Sequence, residues 1–374
     1  MTARQRYLDT ILFRRPRRLP LLPGGPREST LAAWHGQGLP HDVDLWGHLA
    51  ELVGVPVEAF HGPVAAPMDA RMIPQFKERV LAHRHGHYFV QDWMGATTEI
   101  SDRFDYTYIR TAKDFVTRKW HAFPVTDRAS WVERMAWRYD PDNPARLPDD
   151  AAVWAALEGS DRPVTVHLNG PFWQMREWVG FEGLCLMMKD DPALVDDMAE
   201  AWRAFGLALL ERVLRRVRVD IVHLSEDMAY KAHSMISPAL ARRFLSPCYH
   251  AWGELLRSYG VPVYAMDSDG HIDDLIPLWL EAGINQADPM EVAAGNNLAA
   301  LRARWGRQLA YVGGIDKRAI AAGEDALVDE FARVRPVLRD GGYLPSCDHG
   351  VPPDISWPNF VAYTRLLARE TGWG

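Results

Sequence analysis

From residue 161 to the end, one pattern repeats: a short β-branched apolar run, a polar stop and an amphipathic helix. Pro163–Leu168 reads P-V-T-V-H-L and stops at Asn169-Gly170, and Val219–Leu224 stops at Ser225-Glu226-Asp227. Val261–Met266 stops at Asp267, and Ile284–Ala287 at Asp288-Pro289. Leu309–Gly313 leads to Ile315-Asp316-Lys317, and Gly342–Pro345 to Cys347-Asp348-His349. Helices fill the gaps. Asp191-Pro192 and Ser237-Pro238 each set a capping side chain before a proline at the first helical position. These helices run to about Arg216 and Tyr259, the second kinked at Pro247. Others follow at Asp273–Ala282, Asn296–Trp305, Glu324–Arg339 (unless Pro336 ends it early) and Ser356–Thr371. Six βα units in succession dictate a parallel sheet. Right-handed crossovers close such a sheet into an eight-stranded (β/α)8 TIM barrel.

The first 160 residues are less regular. Leu19–Leu22 before Gly24-Gly25 is expected to be the first strand and Tyr88–Trp93 the second. Helices are expected at Ser29–His35, Leu45–Val53 and Ile73–His83, and Asp102–Asp150 reads as an excursion with helices of its own. No repeat, linker or low-complexity tract divides the chain. A single domain over 1–374 is the expectation, with 1–160 supplying the first strands and the helical excursion and 161–374 the regular βα units.

Composition narrows the class. The chain has 374 residues, 48% of them hydrophobic, and a formal net charge of -7, so it carries no global basic footprint for nucleic acid. No apolar run approaches the roughly 18 residues that a membrane helix needs. The basic run Arg14, Arg15, Arg17, Arg18 is followed only by a short apolar stretch broken by Pro20 and Pro23, so it reads as a solvated arm rather than a leader. Cys185, Cys248 and Cys347 lie far apart and form no C-x-x-C pair, which points to a reducing, cytoplasmic setting. With 15 Trp, many indoles must be core and some are available to wall a pocket.

Polar residues gathered at strand ends are the layout of a barrel's active face. Asp267, Asp269, His271 and His349 are candidate metal ligands; the alternative is a hydrogen-bond network bracing the strand ends. Asp267 and Asp269 share strand parity, and two like charges so close need a cation or a shared proton. Glu226 and Asp227 are a candidate general acid and base, or else a helix cap and a partner for Lys231 or Arg176. Arg176 is placed to clamp a substrate carboxylate, or to sit on a helix surface. Trp173 and Phe172 form an aromatic wall or core, and Asp288 is a candidate substrate contact. Cys347 is a soft ligand or a small buried residue. His167 and His223 lie inside strands, as core residues or facing the pocket. His83, His85 and His87 alternate and suit a solvent-facing hairpin edge. Gly313-Gly314 suits a tight turn and lacks the ending of a phosphate loop.

Taken in order, further motifs carry a resemblance. These are Arg18-Leu19-Pro20, Asp92-Trp93-Met94-Gly95, Gly170-Pro171-Phe172-Trp173 with Arg176, and Gly180-Phe181-Glu182. Glu226-Asp227-Met228-Ala229-Tyr230-Lys231 before Ile236-Ser237-Pro238 follows, then Ser268-Asp269-Gly270, Gly313-Gly314-Ile315-Asp316-Lys317 and Asp348-His349-Gly350-Val351-Pro352-Pro353. Together they resemble the uroporphyrinogen decarboxylase superfamily, in its decarboxylase-like branch related to corrinoid-linked methyltransferases. The resemblance implies a (β/α)8 barrel. The R-Q-A-G-R type signature of true uroporphyrinogen decarboxylases is missing, which sets haem biosynthesis aside. The methyltransferases of that superfamily carry zinc on H-x-C-G and a late cysteine. Here those places read Asp267-Ser268-Asp269-Gly270 and His349, so carboxylate and imidazole replace thiolate and favour a harder or borderline ion.

The leading expectation is a metal-dependent transferase of methyl or other one-carbon groups acting on a small molecule. Asp267, Asp269 and His349 would hold a divalent metal, zinc first and iron or manganese as alternatives. A corrinoid protein is an implied partner, and relatives of this kind dimerise. The second expectation is a metal-free decarboxylase in which Asp92, Asp267 or Asp269 protonates a carbanion-like intermediate while Arg176 holds another acid group. The third is a non-catalytic barrel that binds a small molecule.

Overall fold

The computed structural model describes residues 1–104 and 118–374. Seven parallel strands form its main sheet: β1 (Val64–Ala65), β6 (Val164–Asn169), β7 (Ile221–Ser225), β8 (Val263–Asp267), β9 (Gln286–Asp288), β10 (Ala310–Ile315) and β11 (Tyr343–Cys347), adjacent in that order. Between β1 and β6 lies a separate antiparallel sheet of β2 (Arg79–Arg84), β3 (His87–Gln91), β4 (Thr97–Ser101) and β5 (Arg118–Ala122). The main sheet curls. Ala65 at one edge and Leu344 at the other line a single internal cavity of about 330 Å³.

An eighth laddered strand is not formed among the described residues. The expected first strand, Leu19–Leu22, belongs to an extended segment at the closing position. There Leu21 N–H donates to Ala59 O, Cys347 N–H to Pro23 O and Val351 N–H to Gly25 O, and Leu22 faces the cavity. Pro20, Pro23 and Pro26 have no N–H to give, so the segment accepts bonds without becoming a regular ladder.

Two other expectations for the first half are corrected. Ile73–His83 is not a helix, because its second part is β2. His85 and Gly86, both at positive φ, make a two-residue turn that pairs Arg84 with His87. Tyr88–Trp93 lies mostly in β3, in the small sheet, and the main sheet takes Val64–Ala65 instead. His83 and His85 lie exposed on the β2 edge and its turn, whereas His87 is half-buried at the start of β3, between β2 and β4. Helices Glu28–His35 and Leu45–Val53 form as expected, and 105–117 of the expected excursion lies outside the described residues.

In the second half the capping logic holds. Asp191 accepts from Leu194 N–H ahead of Pro192–Leu214, and Ser237 accepts from Leu240 N–H ahead of Pro238–Phe244. Pro247 divides the next stretch, and Ser246–Ser258 follows as a separate helix. Pro336 is accommodated inside Glu324–Asp340. Two helices missing from the expectation, Pro171–Val179 and Phe181–Asp190, precede Pro192–Leu214. Gly180 separates them at φ +77, where a Cβ would sit 2.3 Å from the Phe123 ring.

The N-terminal helix Ala3–Ile11 packs Tyr7, Leu8 and Ile11 on Ile221, Val263, Ala310 and Leu344 of the main sheet. Arg4 anchors it by ion pairing with the buried Asp220 at 2.6 Å. Trp34, Trp178, Trp202, Trp252 and Trp279 are fully buried, which accounts for part of the high Trp count. No helix among the described residues is long and apolar enough to cross a membrane.

Candidate active site

Strand register builds the site. Parallel pairing sets Asn169 beside Ser225, Ser225 beside Asp267, and Asp267 beside Asp288. Two residues earlier on the same strands, His167, His223, Ala265 and Gln286 form the layer beneath. Alternation sends residues i and i+2 to one face, so these two layers stack on the inner face of the curled sheet at the C-terminal ends of its strands.

The layers are bonded together. His223 Nε2 and Asp288 Oδ1 are 2.9 Å apart, and Gln286 Nε2 donates to Asp288 Oδ2 at 3.0 Å. Tyr7 OH donates to Gln286 Oε1 at 3.2 Å, linking the layers to the N-terminal helix. Burial opposes charge on His223, yet Asp288 and then Asp267 outweigh it and lift its pKa to about 9. His167, ring to ring with His223 at 5.1 Å, is pushed down to about 4 by burial and by that neighbour. Burial and the nearby Asp288 push Asp267 up to about 7 against the opposing pull of His223 and a hydrogen bond to Ser225. The inner site therefore pairs a charged imidazole with two carboxylates, one of which carries a proton near neutrality.

A rim of alternating charge surrounds it. Arg176 donates to Asp227 Oδ2 at 3.2 Å and to Asp227 O at 3.1 Å, and its guanidinium lies 4.5 Å over Trp173. His349 Nε2 meets Asp269 Oδ2 at 3.1 Å, while Arg27 meets its Nδ1 at 3.1 Å. Because a guanidinium can only donate, Nδ1 accepts and the ring proton lies on Nε2 toward Asp269. That bond raises the pKa of His349, and burial raises that of Asp227.

A cavity of about 460 Å³ opens beside β6 and β7 and shares His167, Asn169 and Ser225 with the inner layers. Trp173, Trp93 and Tyr139 supply aromatic surface to it, and Glu177 supplies a carboxylate. Glu177 Oε1 accepts from Trp173 Nε1 at 2.8 Å and Oε2 from Gln174 Nε2 at 3.3 Å; burial raises its pKa.

The residues singled out from sequence thus fall into separate places. Asp267 and Asp288 share the inner layer; Asp227, Arg176, Asp269 and His349 share the rim. Glu226 has the opposite parity to Ser225 and is completely buried beneath helix Pro171–Val179. It accepts from Trp173 N–H at 2.9 Å and Phe172 N–H at 3.3 Å, and also from Tyr249 OH, so it caps that helix and positions Trp173 and Arg176. Burial pushes its pKa to about 7 despite those donors. Phe172 is core. His271 donates from Nδ1 to Ala294 O at 3.0 Å and lines a different cavity, of about 220 Å³. Asp92 turns the β3–β4 hairpin, its Oδ1 accepting from Met94 and Ala96 N–H, and burial pushes its pKa to about 6. Cys347 is buried and its thiol is pushed up to about 12 by burial.

Among the described residues no three His, Cys, Asp or Glu side chains converge as a metal cage. Asp267 turns toward Ser225 and Asp288, whereas His349 is engaged at both ring nitrogens. In this arrangement Asp267, Asp269 and His349 do not fit a shared ion. His167 and His223, read from sequence as core or facing the pocket, do face it, whereas Asn169, Gln286 and Glu177 were not singled out. Parity would have found Asn169, two residues after His167, and Gln286, two residues before Asp288.

No family model matches the chain, and no curated protein matches it in sequence. Its fold is similar to that of a solved methyltransferase from Methanosarcina mazei, over 98% of each chain, at TM-score 0.56 and 14% identity. A B12-independent methionine synthase from Shewanella sp. W3-18-1, in complex with selenomethionine, aligns over 95% of this chain and 97% of its own at TM-score 0.34 and 13% identity. The first likeness establishes a shared fold, an α/β architecture built on a curled parallel sheet.

Proposed function

We propose that this chain is a barrel enzyme that transfers a methyl or other one-carbon group to or from a small molecule. The observation that carries the reading is the inner layer, a carboxylate–imidazole–carboxylate set at the strand ends beside a cavity large enough for a small ligand. The fold shared end to end with a solved methyltransferase supports it.

The chemistry follows from the groups present. An acceptor N–H, O–H or S–H loses its proton as it takes the carbon, and the leaving group departs with the electron pair of the broken bond. Asp267 in its ionised form receives that proton, because its pKa lies near neutrality. The His223–Asp288 pair supplies fixed charge beside it and needs no reorganisation. Asn169 and Ser225 orient the reacting groups. Asp227 and Arg176 form the entrance, and Glu226 acts as a positioning residue under their helix.

The finer form of the proposal adds a corrinoid protein as partner and a metal on Asp267, Asp269 and His349. It requires His349 to give up its present partners, and we derive no step through either group. Metal content of untagged protein beside Asp267→Ala and His349→Ala tests it. Near-stoichiometric zinc, iron or manganese lost in both variants supports that form; background metal after reconstitution removes it.

A second reading, decarboxylation, is favoured by one observation. Protonated Asp267 can deliver a proton to a carbanion as carbon dioxide leaves, with Arg176 holding another acid group. Transfer of ¹³C-methyl from labelled donors (methylcobalamin, methoxy compounds, methylamines) to thiol or amine acceptors separates the two. Labelled product that disappears in Asp267→Asn supports transfer. Carbon dioxide released from acidic substrates, with no labelled product, would replace transfer with the lyase.

A further inference from the structure

The large cavity between the β6–β7 strand ends and the small sheet has a charge that the chemistry above does not use. Two carboxylates near it each have a guanidinium bonded to them. Asp69 is gripped by Arg71 at 2.8 and 2.9 Å, and Asp227 by Arg176. Arg118 acts on Asp92 and on Glu177 alike through its field, and Asp92 Oδ2 and one guanidinium nitrogen of Arg118 are buried without a hydrogen-bond partner. Among the described residues Glu177 has no ion pair. Its hydrogen bonds come from two neutral donors, an indole and an amide, and it lines the cavity. Arg176, bonded to Asp227, and Arg118, shared with Asp92, act on it only through their fields, so two guanidinium charges face the three carboxylates Asp92, Asp227 and Glu177. Trp93, Trp173, Tyr139, Met68 and Met72 give the cavity aromatic and thioether surface, Asn169, Gln174 and Ser225 add neutral polar groups, and the mutually bonded Asp69 and Arg71 also line it. His167, held neutral by burial, adds no positive charge at neutral pH.

We propose that this cavity binds a methylated ammonium ion, with Glu177 as its counter-charge and the indoles of Trp93 and Trp173 as its walls. Burial alone favours the neutral form of Glu177, and a bound cation draws it to the carboxylate; that carboxylate, out of water beside aromatic faces, selects a bulky, weakly hydrated cation. A compact ammonium keeps its water more tightly, and an anion meets Glu177 directly. The cavity shares Ser225 with the inner layer, and Ser225 bonds to Asp267, so an N-methyl group bound there lies on the side of the proton acceptor. The inference deepens the transfer reading, on which it rests, by naming the substrate class.

Binding is tested without turnover, by calorimetry and tryptophan fluorescence on the full chain at pH 8. The probes are choline, its neutral isostere 3,3-dimethylbutan-1-ol, and propionate. Choline is expected to bind at least about tenfold more tightly than the isostere, and propionate not to bind. Glu177→Gln is expected to remove that preference, and Trp93→Leu to weaken choline binding severalfold while sparing the fold by circular dichroism. Trp93→Leu alone carries the test if Glu177→Gln does not fold. Equal binding of choline and its isostere overturns the proposal, as does choline affinity unchanged in both variants or a preference for propionate. Choline bound with no labelled-methyl transfer leaves this site standing and removes the transfer reading. Transfer without choline binding does the reverse.

Discussion

Replacing Asp288 by Asn should move the proton of His223, and the consequence for stability has a definite sign. In the folded chain His223 is lifted from an ordinary value of 6.5 to about 9, against burial, by Asp288 and then by Asp267. Each tenfold change in proton affinity is worth about 1.4 kcal/mol, so the pair contributes about 3 kcal/mol. The ring is largely shielded, with 18% of its side chain accessible, so solvent screening removes little of this. A raised histidine stabilises the fold fully below its unfolded value, and the contribution fades as pH rises from about 6.5 through about 9. Asp288→Asn keeps the shape and removes the charge, leaving burial to depress the ring. The variant should lie about 3 kcal/mol below the parent at pH 6 and close to it at pH 10. With an unfolding entropy of about 2 cal/mol/K per residue, that gap is about 4 °C in Tm. Scanning fluorimetry across pH 6–10 reads the gap. Carbon-13 histidine NMR, assigned by loss of a signal in His223→Gln, reads the ring. A His223 that titrates near 6.5 in the parent, or near 9 in Asp288→Asn, would refute the reasoning, as would a Tm gap that does not narrow with pH.

Other substitutions probe other parts of the argument. If Asp267 takes the proton, the rate should rise with pH through about 7, and Asp267→Asn should remove that limb and lower kcat about 100-fold or more, read by labelled-methyl transfer. Gly170→Ala sets a Cβ 2.1 Å from the buried carboxyl carbon of Glu226 and should lower stability by about 1–3 kcal/mol in urea unfolding, with a loss of activity because Trp173 and Arg176 ride on that helix. Asp220→Ala strands Arg4 and the N–H of Val164, so a loss of about 3–5 kcal/mol and earlier proteolysis at the N-terminal helix are expected.

The β-branched runs, their polar stops and the capped helices were enough to read the parallel sheet from residue 163 on, because those signals are local. The same period of two that marks a strand also says which residues share a face. It was applied to Asp267 and Asp269 but not to His167 with Asn169, or His223 with Ser225, where it would have revealed the inner layer and turned Glu226 outward. Other features depend on partners distant in sequence. Leu19–Leu22 is strand-like in pattern, but its prolines and its position beside β11 leave it extended without a ladder. Ile73–His83 became part of a hairpin because β3 and the His85-Gly86 turn were there to pair it. The ionisation of the site was settled only in three dimensions. Asp288 stands 65 residues from His223, and Arg27 stands 322 from His349. No local pattern encodes those distances, yet charge, burial and proton affinity all follow from them. Sequence alone determined which chemical groups end the strands; the tertiary structure decided which meet, because pairing register and closure of the sheet set who faces whom.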